Sequence, residues 1–335
     1  MQTAGSKSLK DIQERYGPLL DETNELIRQS ILTLAPQSRK LDSTLQLSRG
    51  KQLRPLFTYS IFKGFNSNID KAPHLAAVFE SIHIASLLHD DVIDDCHLRR
   101  NMPTMNEIYG SGVAILLGDL VFVAIYRLAA QLNEMWLVNK VSDTIHILIE
   151  GELLQQQRRF DEASTENDYK KIISRKTGAL LELCCYASAR FAGQSESSAL
   201  NLQEFGKHFG IIFQIADDWA DFCRSEQKDH KDRGVDIANG FLTLPWIILL
   251  EKCSEEEKKK LSQIIDAKEP AGLSNSLVKV LCDKYDVPAL MNDKISEHYM
   301  AAGKYLDATQ DFNSEEMRTF LEYIMAEFSR IKDGK

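Results

Sequence analysis

The chain has 335 residues, with 40 Lys and Arg against 49 Asp and Glu, and a net charge of −9 with neutral histidines. That acidic balance excludes a general nucleic-acid binder, whose phosphate contacts need a basic excess. Hydrophobic residues at 44% and charged residues at 27% describe a globular protein with a sizeable core, and 17 Gly with 8 Pro are too few for a turn-rich all-β fold.

Apolar spacing predicts helices over 10–34 and 54–64, then one from Leu75 in which Val78, Ile82 and Ala85 follow the three-and-four step directly into His89-Asp90-Asp91. Residues 113–132 are apolar on nearly every side, the pattern of a central helix surrounded by others, and Asp119 and Arg127 within them argue against a membrane span. Further helices are predicted over 140–159, 167–192, 201–222, 242–252 and 315–331. Ser254 with Glu257 forms a capping box, so the charge run there opens a solvated helix. No segment sustains strand alternation and no linker divides the chain, which predicts an all-α fold in one domain over 1–335.

Six cysteines without a CxxC pair suggest reduced thiols, and the polar first fifteen residues lack the apolar run of a signal peptide. A cytoplasmic protein without a transmembrane segment is the expectation.

One pattern occurs twice: Asp90-Asp91-Val-Ile-Asp94 and Asp217-Asp218-Trp-Ala-Asp221. Residues four apart share a helix face, so each motif becomes a claw of carboxylates. Like charges packed so closely need a cation, and hard oxygen donors select magnesium, with manganese as a substitute. Magnesium shares its shell readily with phosphates, so two claws suggest a diphosphate substrate. Candidates to hold its remaining oxygens are Lys51 and Arg54, Arg99 and Arg100 just after the first claw, Lys176 before Thr177, and Lys231 after the second claw. No Gly-rich nucleotide loop is present.

Gly50-Lys-Gln-Leu-Arg-Pro55, Ser86-Leu-Leu-His-Asp-Asp-Val-Ile-Asp-Asp95, Arg99-Arg100, Gly118-Asp119, Gly151-Glu-Leu-Leu-Gln155, Lys176-Thr177-Gly178, Phe213-Gln-Ile-Ala-Asp-Asp218 and Thr243-Leu-Pro245 stand in order along nearly the whole chain. In this the sequence resembles the trans-isoprenyl diphosphate synthases, the polyprenyl synthetase family. The resemblance implies a single large helical bundle around a central cavity, the isoprenoid synthase fold. It also implies magnesium-dependent, successive condensation of isopentenyl diphosphate onto an allylic diphosphate, giving an all-trans product. By similarity, Asp90, Asp91, Asp94, Asp217, Asp218 and Asp221 hold the metal, and Arg99, Lys176, Gln214 and Lys231 hold the allylic diphosphate. Lys51, Arg54, His83 and Arg100 match the isopentenyl diphosphate site, and Thr177 and Phe213 line the reacting carbons. His83 also reads as a core histidine between Ile82 and Ile84.

The sequence departs from the family pattern at Phe241, where a diphosphate-binding lysine is expected, and at Arg49 and Asn101, where glycines are usual. Product length in this family is read from the helix entering the first claw. Small Ala85 and Ser86, with Ile82 and Val78 further back, imply a deep cavity floored by Phe79, Phe122 or Tyr126, and a product longer than geranylgeranyl diphosphate. A short-chain farnesyl or geranylgeranyl diphosphate synthase is the alternative, as is the catalytic subunit of a two-component heptaprenyl-type synthase with a small partner. The family also implies a homodimer, formed through apolar helices such as 113–132. A phosphohydrolase built on His89-Asp90 would leave the second claw unexplained.

Overall fold

The computed structural model describes residues 8–34, 50–100, 102–223, 235–268, 271–273 and 275–332, so Arg49, Asn101 and Lys231 lie outside the described residues. The fold is all-α, as the sequence predicts, with one two-residue hairpin among the described residues. The chain packs as two compact units. The first comprises Met1–Ile145, Leu180–Gly206 and Tyr305–Phe320, and the second His146–Ala179, Lys207–Lys304 and Leu321–Lys335.

In the first unit, Ser8 and Asp11 cap the helix Leu9–Arg15 reciprocally. The single helix expected over 10–34 is broken at Tyr16, and a second helix, Gly17–Leu34, begins with Pro18 in its first turn, where a missing N–H costs nothing. Helix Leu53–Gly64 buries its sequence on nearly all sides, with Phe57 packed 4.6 Å from Phe320. Buried Glu316 ties three segments together: it accepts from the Tyr16 hydroxyl and Ser60 Oγ, both at 2.8 Å, from Lys63 Nζ at 2.5 Å, and from Arg15.

Helix Ala72–Ile93 packs against helix Ser111–Gln131. Gly118 makes this approach possible: a methyl there would lie 2.7 Å from His89 Cδ2. One expectation is corrected here. The second of these helices is not enclosed all round within its unit; Ala114, Leu117, Val121, Ala124, Ile125 and Leu128 are buried, whereas Val113, Ile115, Leu116, Val123 and Tyr126 are exposed. The helix is long and apolar enough to cross a membrane by length and composition, but its inner face is the one that Ala72–Ile93 covers.

In the second unit, whose segment from His146 ends at Ala179, the helix predicted over 167–192 is interrupted. Helix Glu166–Ile173, capped by Thr165 and Asp168, gives way to a π turn over Ser174–Gly178 before helix Ala179–Phe191 starts. An aromatic core of Trp219, Phe222, Trp246 and Phe328, with ring centres 5.5–6.1 Å apart, holds the unit together. Ser254 and Glu257 form the expected capping box on helix Glu255–Asp266. Two further helices, Ser276–Lys284 and Val287–Ala308, were not read from the sequence.

Candidate active site

The first aspartate motif closes helix Ala72–Ile93, and the Asp94 N–H reaches back to the Asp90 carbonyl at 2.8 Å, so these two carboxylates share the last turn. Asp91 is buried. The chain then turns through Asp95, at φ 50°, into the hairpin Leu98–Arg99 with Met102–Pro103. This hairpin brings Arg99 back, so that Nε and Nη2 donate to Asp91 Oδ1 at 2.9 and 2.7 Å.

Arg100, at φ 53°, follows, and its guanidinium lies against the backbone of Gly50, where any side chain would collide with it. Lys51 is exposed and Arg54 is half-buried in the first turn of helix Leu53–Gly64. His83 faces this group: burial, and then the charges of Arg54, Arg99 and Arg100, hold it well below the usual imidazole range, so it is neutral at pH 7. The first unit thus gathers Arg54, His83, Arg99 and Arg100 beside the first claw. Of the residues assigned to product length, Val78, Phe79, Ile82 and Ala85 are fully buried, and Ser86 donates to the His83 carbonyl at 2.9 Å. Phe122 is half-buried with its ring 5.5 Å from that of His89.

The second motif lies on helix Glu196–Cys223, with Asp217 exposed, Asp218 buried and Asp221 half-buried. Asp218 is held on both sides. Tyr169 donates to its Oδ2 at 2.6 Å and Gln214 Nε2 to its Oδ1 at 2.8 Å, while Thr177 donates to Gln214 Oε1 at 2.6 Å. Burial first, and then repulsion from Asp217 and Asp221, raises the Asp218 carboxyl to about 7. Asp236 is also pushed well above the carboxylate range by burial and by Asp221, Asp218 and Asp217, with Lys176 opposing. Phe213 is half-buried one residue before Gln214.

Lys176 and Thr177 sit on the π turn, an inserted residue of the kind that often re-aims functional side chains. Gly151 admits that turn: a methyl there would lie 2.8 Å from Arg175 Cβ and 2.9 Å from the Lys176 nitrogen. Lys176 Nζ stands 2.6 Å from Glu152 Oε2. Among the described residues no three His, Cys, Asp or Glu side chains are grouped to hold a metal ion as they stand; Asp91 is turned to Arg99, and Asp218 to Tyr169 and Gln214.

Residues 38–281 match the polyprenyl synthetase family. The chain belongs to this family. It is therefore a prenyltransferase. An octaprenyl diphosphate synthase of Haemophilus influenzae is 30% identical over 274 residues, 82% of either chain. A short chain isoprenyl diphosphate synthase of Methanothermobacter thermautotrophicus is 28% identical over 313 residues, 91% of this chain and 94% of that one. Among solved structures, a polyprenyl synthase of Caulobacter crescentus, complexed with calcium and isoprenyl diphosphate, is 26% identical over 98% of each chain, with a TM-score of 0.84. The polyprenyl synthetase fold is thus shared over nearly the full length.

Four polar residues of this polyprenyl synthetase chain were given no role by the sequence reading: Glu80, Glu152, Tyr169 and Asp236. Glu152 stands in a quoted motif, and Asp236 lies on the short helix Val235–Ala238. Tyr169 and Glu80 carry no local signal, since a lone Tyr or Glu on a helix is unremarked until its neighbours are known.

Proposed function

We propose that this chain is a polyprenyl diphosphate synthase that condenses isopentenyl diphosphate repeatedly onto an allylic diphosphate, giving an all-trans product longer than geranylgeranyl diphosphate. The observation that carries the reading is the second motif, where burial and neighbouring carboxylates raise Asp218 to about 7 although Tyr169 and Gln214 donate to it. Carboxylates under such mutual repulsion suit a hard divalent cation, and the calcium in the Caulobacter crescentus structure supports that chemistry.

Asp90, Asp91, Asp94, Asp217, Asp218 and Asp221 would hold magnesium, which when bound neutralises charge on a leaving diphosphate. Arg99, Lys176 and Gln214 then take the diphosphate oxygens that face away from metal, by charge-assisted hydrogen bonds. Lys51, Arg54 and Arg100 hold isopentenyl diphosphate, and neutral His83 adds a donor without adding charge. Thr177 and Phe213 stand beside the reacting carbons, where a hydroxyl dipole and a ring face stabilise an allylic cation. The allylic C–O bond breaks, a C–C bond forms to the isopentenyl double bond, and the released diphosphate takes the departing proton.

Fully buried Ala85 on the helix entering the first claw supports a long product, as does the name of the Haemophilus influenzae relative. The exposed apolar face of helix Ser111–Gln131 supports a homodimer, and six free thiols support a reducing, cytoplasmic setting. Incubating the purified chain with magnesium, labelled isopentenyl diphosphate and each short allylic diphosphate, then sizing the dephosphorylated products, tests the reading. Products longer than geranylgeraniol are expected, and turnover by the chain alone excludes an obligatory partner subunit. A stop at farnesol or geranylgeraniol overturns the chain length, and no condensation under any primer overturns the activity.

A further inference from the structure

Lys176 has a carboxylate against it that belongs to neither aspartate motif. Its Nζ stands 2.6 Å from Oε2 of Glu152, on the part of helix Met135–Gln157 that lies in the second unit, and the two side chains are 27% and 14% exposed. An ion pair so far withdrawn from water holds more strongly than one on the open surface. A methyl on neighbouring Gly151 would come within 2.9 Å of the Lys176 nitrogen, so the helix and the π turn pack backbone against backbone beside the pair.

The two oxygens of Glu152 are held differently. Oε1 accepts from Gln156 Nε2 at 2.9 Å, one turn on along the same helix. Oε2 is buried and accepts no hydrogen bond, so Lys176 meets it off the hydrogen-bond direction and is drawn to it by charge. Gln156 thus fixes the carboxylate, while the ammonium, on its flexible four-carbon stem, can swing from Glu152 to a second anion without breaking an aligned hydrogen bond there. Arg99 differs: its two aligned hydrogen bonds go to Asp91, a member of the first motif that magnesium would claim. Glu152 stands outside both motifs, so metal binding leaves it facing Lys176, and an anion of greater charge is what draws the ammonium away.

We propose that Glu152 is a positioning residue that competes with the diphosphate group for Lys176: it yields the ammonium when a diphosphate binds and recovers it when the diphosphate leaves. The proposal rests on the function proposed above, in which one diphosphate must depart after each condensation. A lysine with no competing carboxylate would hold that product longer, so Glu152 weakens binding in favour of release.

The test is calorimetric binding of inorganic pyrophosphate at saturating magnesium, together with its inhibition of turnover, in wild type, Glu152→Gln, Lys176→Met and the double variant. Glu152→Gln should bind pyrophosphate about tenfold more tightly, and pyrophosphate should inhibit it at about a tenth of the wild-type concentration. Adding Glu152→Gln to Lys176→Met should change nothing, because the competition needs the ammonium. Glu152→Asp, which keeps the charge on a shorter stem, should fall between wild type and Glu152→Gln, and gives the same reading if the glutamine variant does not fold. Unchanged or weaker pyrophosphate binding by Glu152→Gln would overturn the competition. So would an equal tightening in the Lys176→Met background, which would make Glu152 a repelling charge only. Absence of turnover by the wild-type chain would instead overturn the proposed activity, and the calorimetry, which needs no turnover, would still decide the role of Glu152.

Discussion

Tyr169 donates its phenolic hydroxyl to Asp218 Oδ2 at 2.6 Å, and both side chains are buried. The tyrosine comes from helix Glu166–Ile173 and the aspartate from helix Glu196–Cys223, so the hydrogen bond fixes one carboxylate of the second motif from a different element. Partners of this kind orient metal-binding carboxylates, and removing them weakens metal affinity by about 10–100-fold. Tyr169→Phe removes the donor and keeps the ring. It should raise the magnesium concentration for half-maximal activity by about tenfold and shrink the rise in melting temperature that saturating magnesium gives. An unchanged magnesium dependence in both measurements would confine Tyr169 to packing.

Glu316 carries the corresponding prediction for stability. Burial acts to raise its carboxyl, but hydrogen bonds from Lys63, Ser60 and Tyr16 and the Lys63 charge outweigh burial and hold it below the ordinary 4.5. A carboxylate with a depressed folded-state pKa stabilises the protein above its unfolded pKa, and that stability is lost as pH falls through the folded value. Glu316→Gln should cost on the order of 2–3 kcal/mol at neutral pH, less than a fully buried pair because Arg15 and Lys63 are partly exposed. Denaturant titrations from pH 7 down to about pH 3 check the sign: the difference between wild type and variant should narrow as the pH drops below about 4.5.

The fold was legible because apolar spacing outlasts local noise. Val78, Ile82 and Ala85 announce their helix, and Ser254 with Glu257 announce another. Helix Val287–Ala308 escaped because its buried stripe of Val287, Met291, Ile295, Ala302 and Leu306 is interrupted by His298 and diluted by charged residues. The π turn at Ser174–Gly178 escaped because one inserted residue barely disturbs a helical period. The claws could be read from their repeated spacing, whereas Glu152 and Tyr169 gain meaning only when distant segments bring Lys176 and Asp218 to them. Composition alone also misjudged helix Ser111–Gln131, since an apolar residue such as Leu116 looks the same in sequence whether or not a neighbour covers it.

Phe241 stands where the family pattern leads one to expect a lysine, and the structure sets a cation beside it. Arg159 lies 5.4 Å from the Phe241 ring centre and donates from Nε to the Asn239 carbonyl at 2.5 Å. The positive charge absent from position 241 is therefore present next to it, on a guanidinium whose remaining N–H groups can bind phosphate oxygens. Arg159→Met, which keeps much of the bulk, should raise KM for the allylic diphosphate about tenfold and leave KM for isopentenyl diphosphate alone. Equal KM values in wild type and variant would reduce Arg159 to a cap on the turn at Gly240.

Ala85 sits one turn and a half before Asp90 with no exposed surface, and neighbouring Ser86 is half-buried. A growing apolar chain running along this helix would meet only a methyl group and a hydroxymethyl group there, and the fully buried ring of Phe79 lies further back on the same helix. Ala85→Phe places a ring in that path. The overpacking costs about 1–3 kcal/mol, small enough for the variant to fold, and should shorten the main product to about three or four isoprene units. Phe79→Ala should act in the opposite sense by removing the ring further down. Sizing the dephosphorylated products of both variants against wild type decides the assignment: a distribution unchanged by Ala85→Phe would mean that the chain grows along another path and that the small residues before the first claw do not set its length.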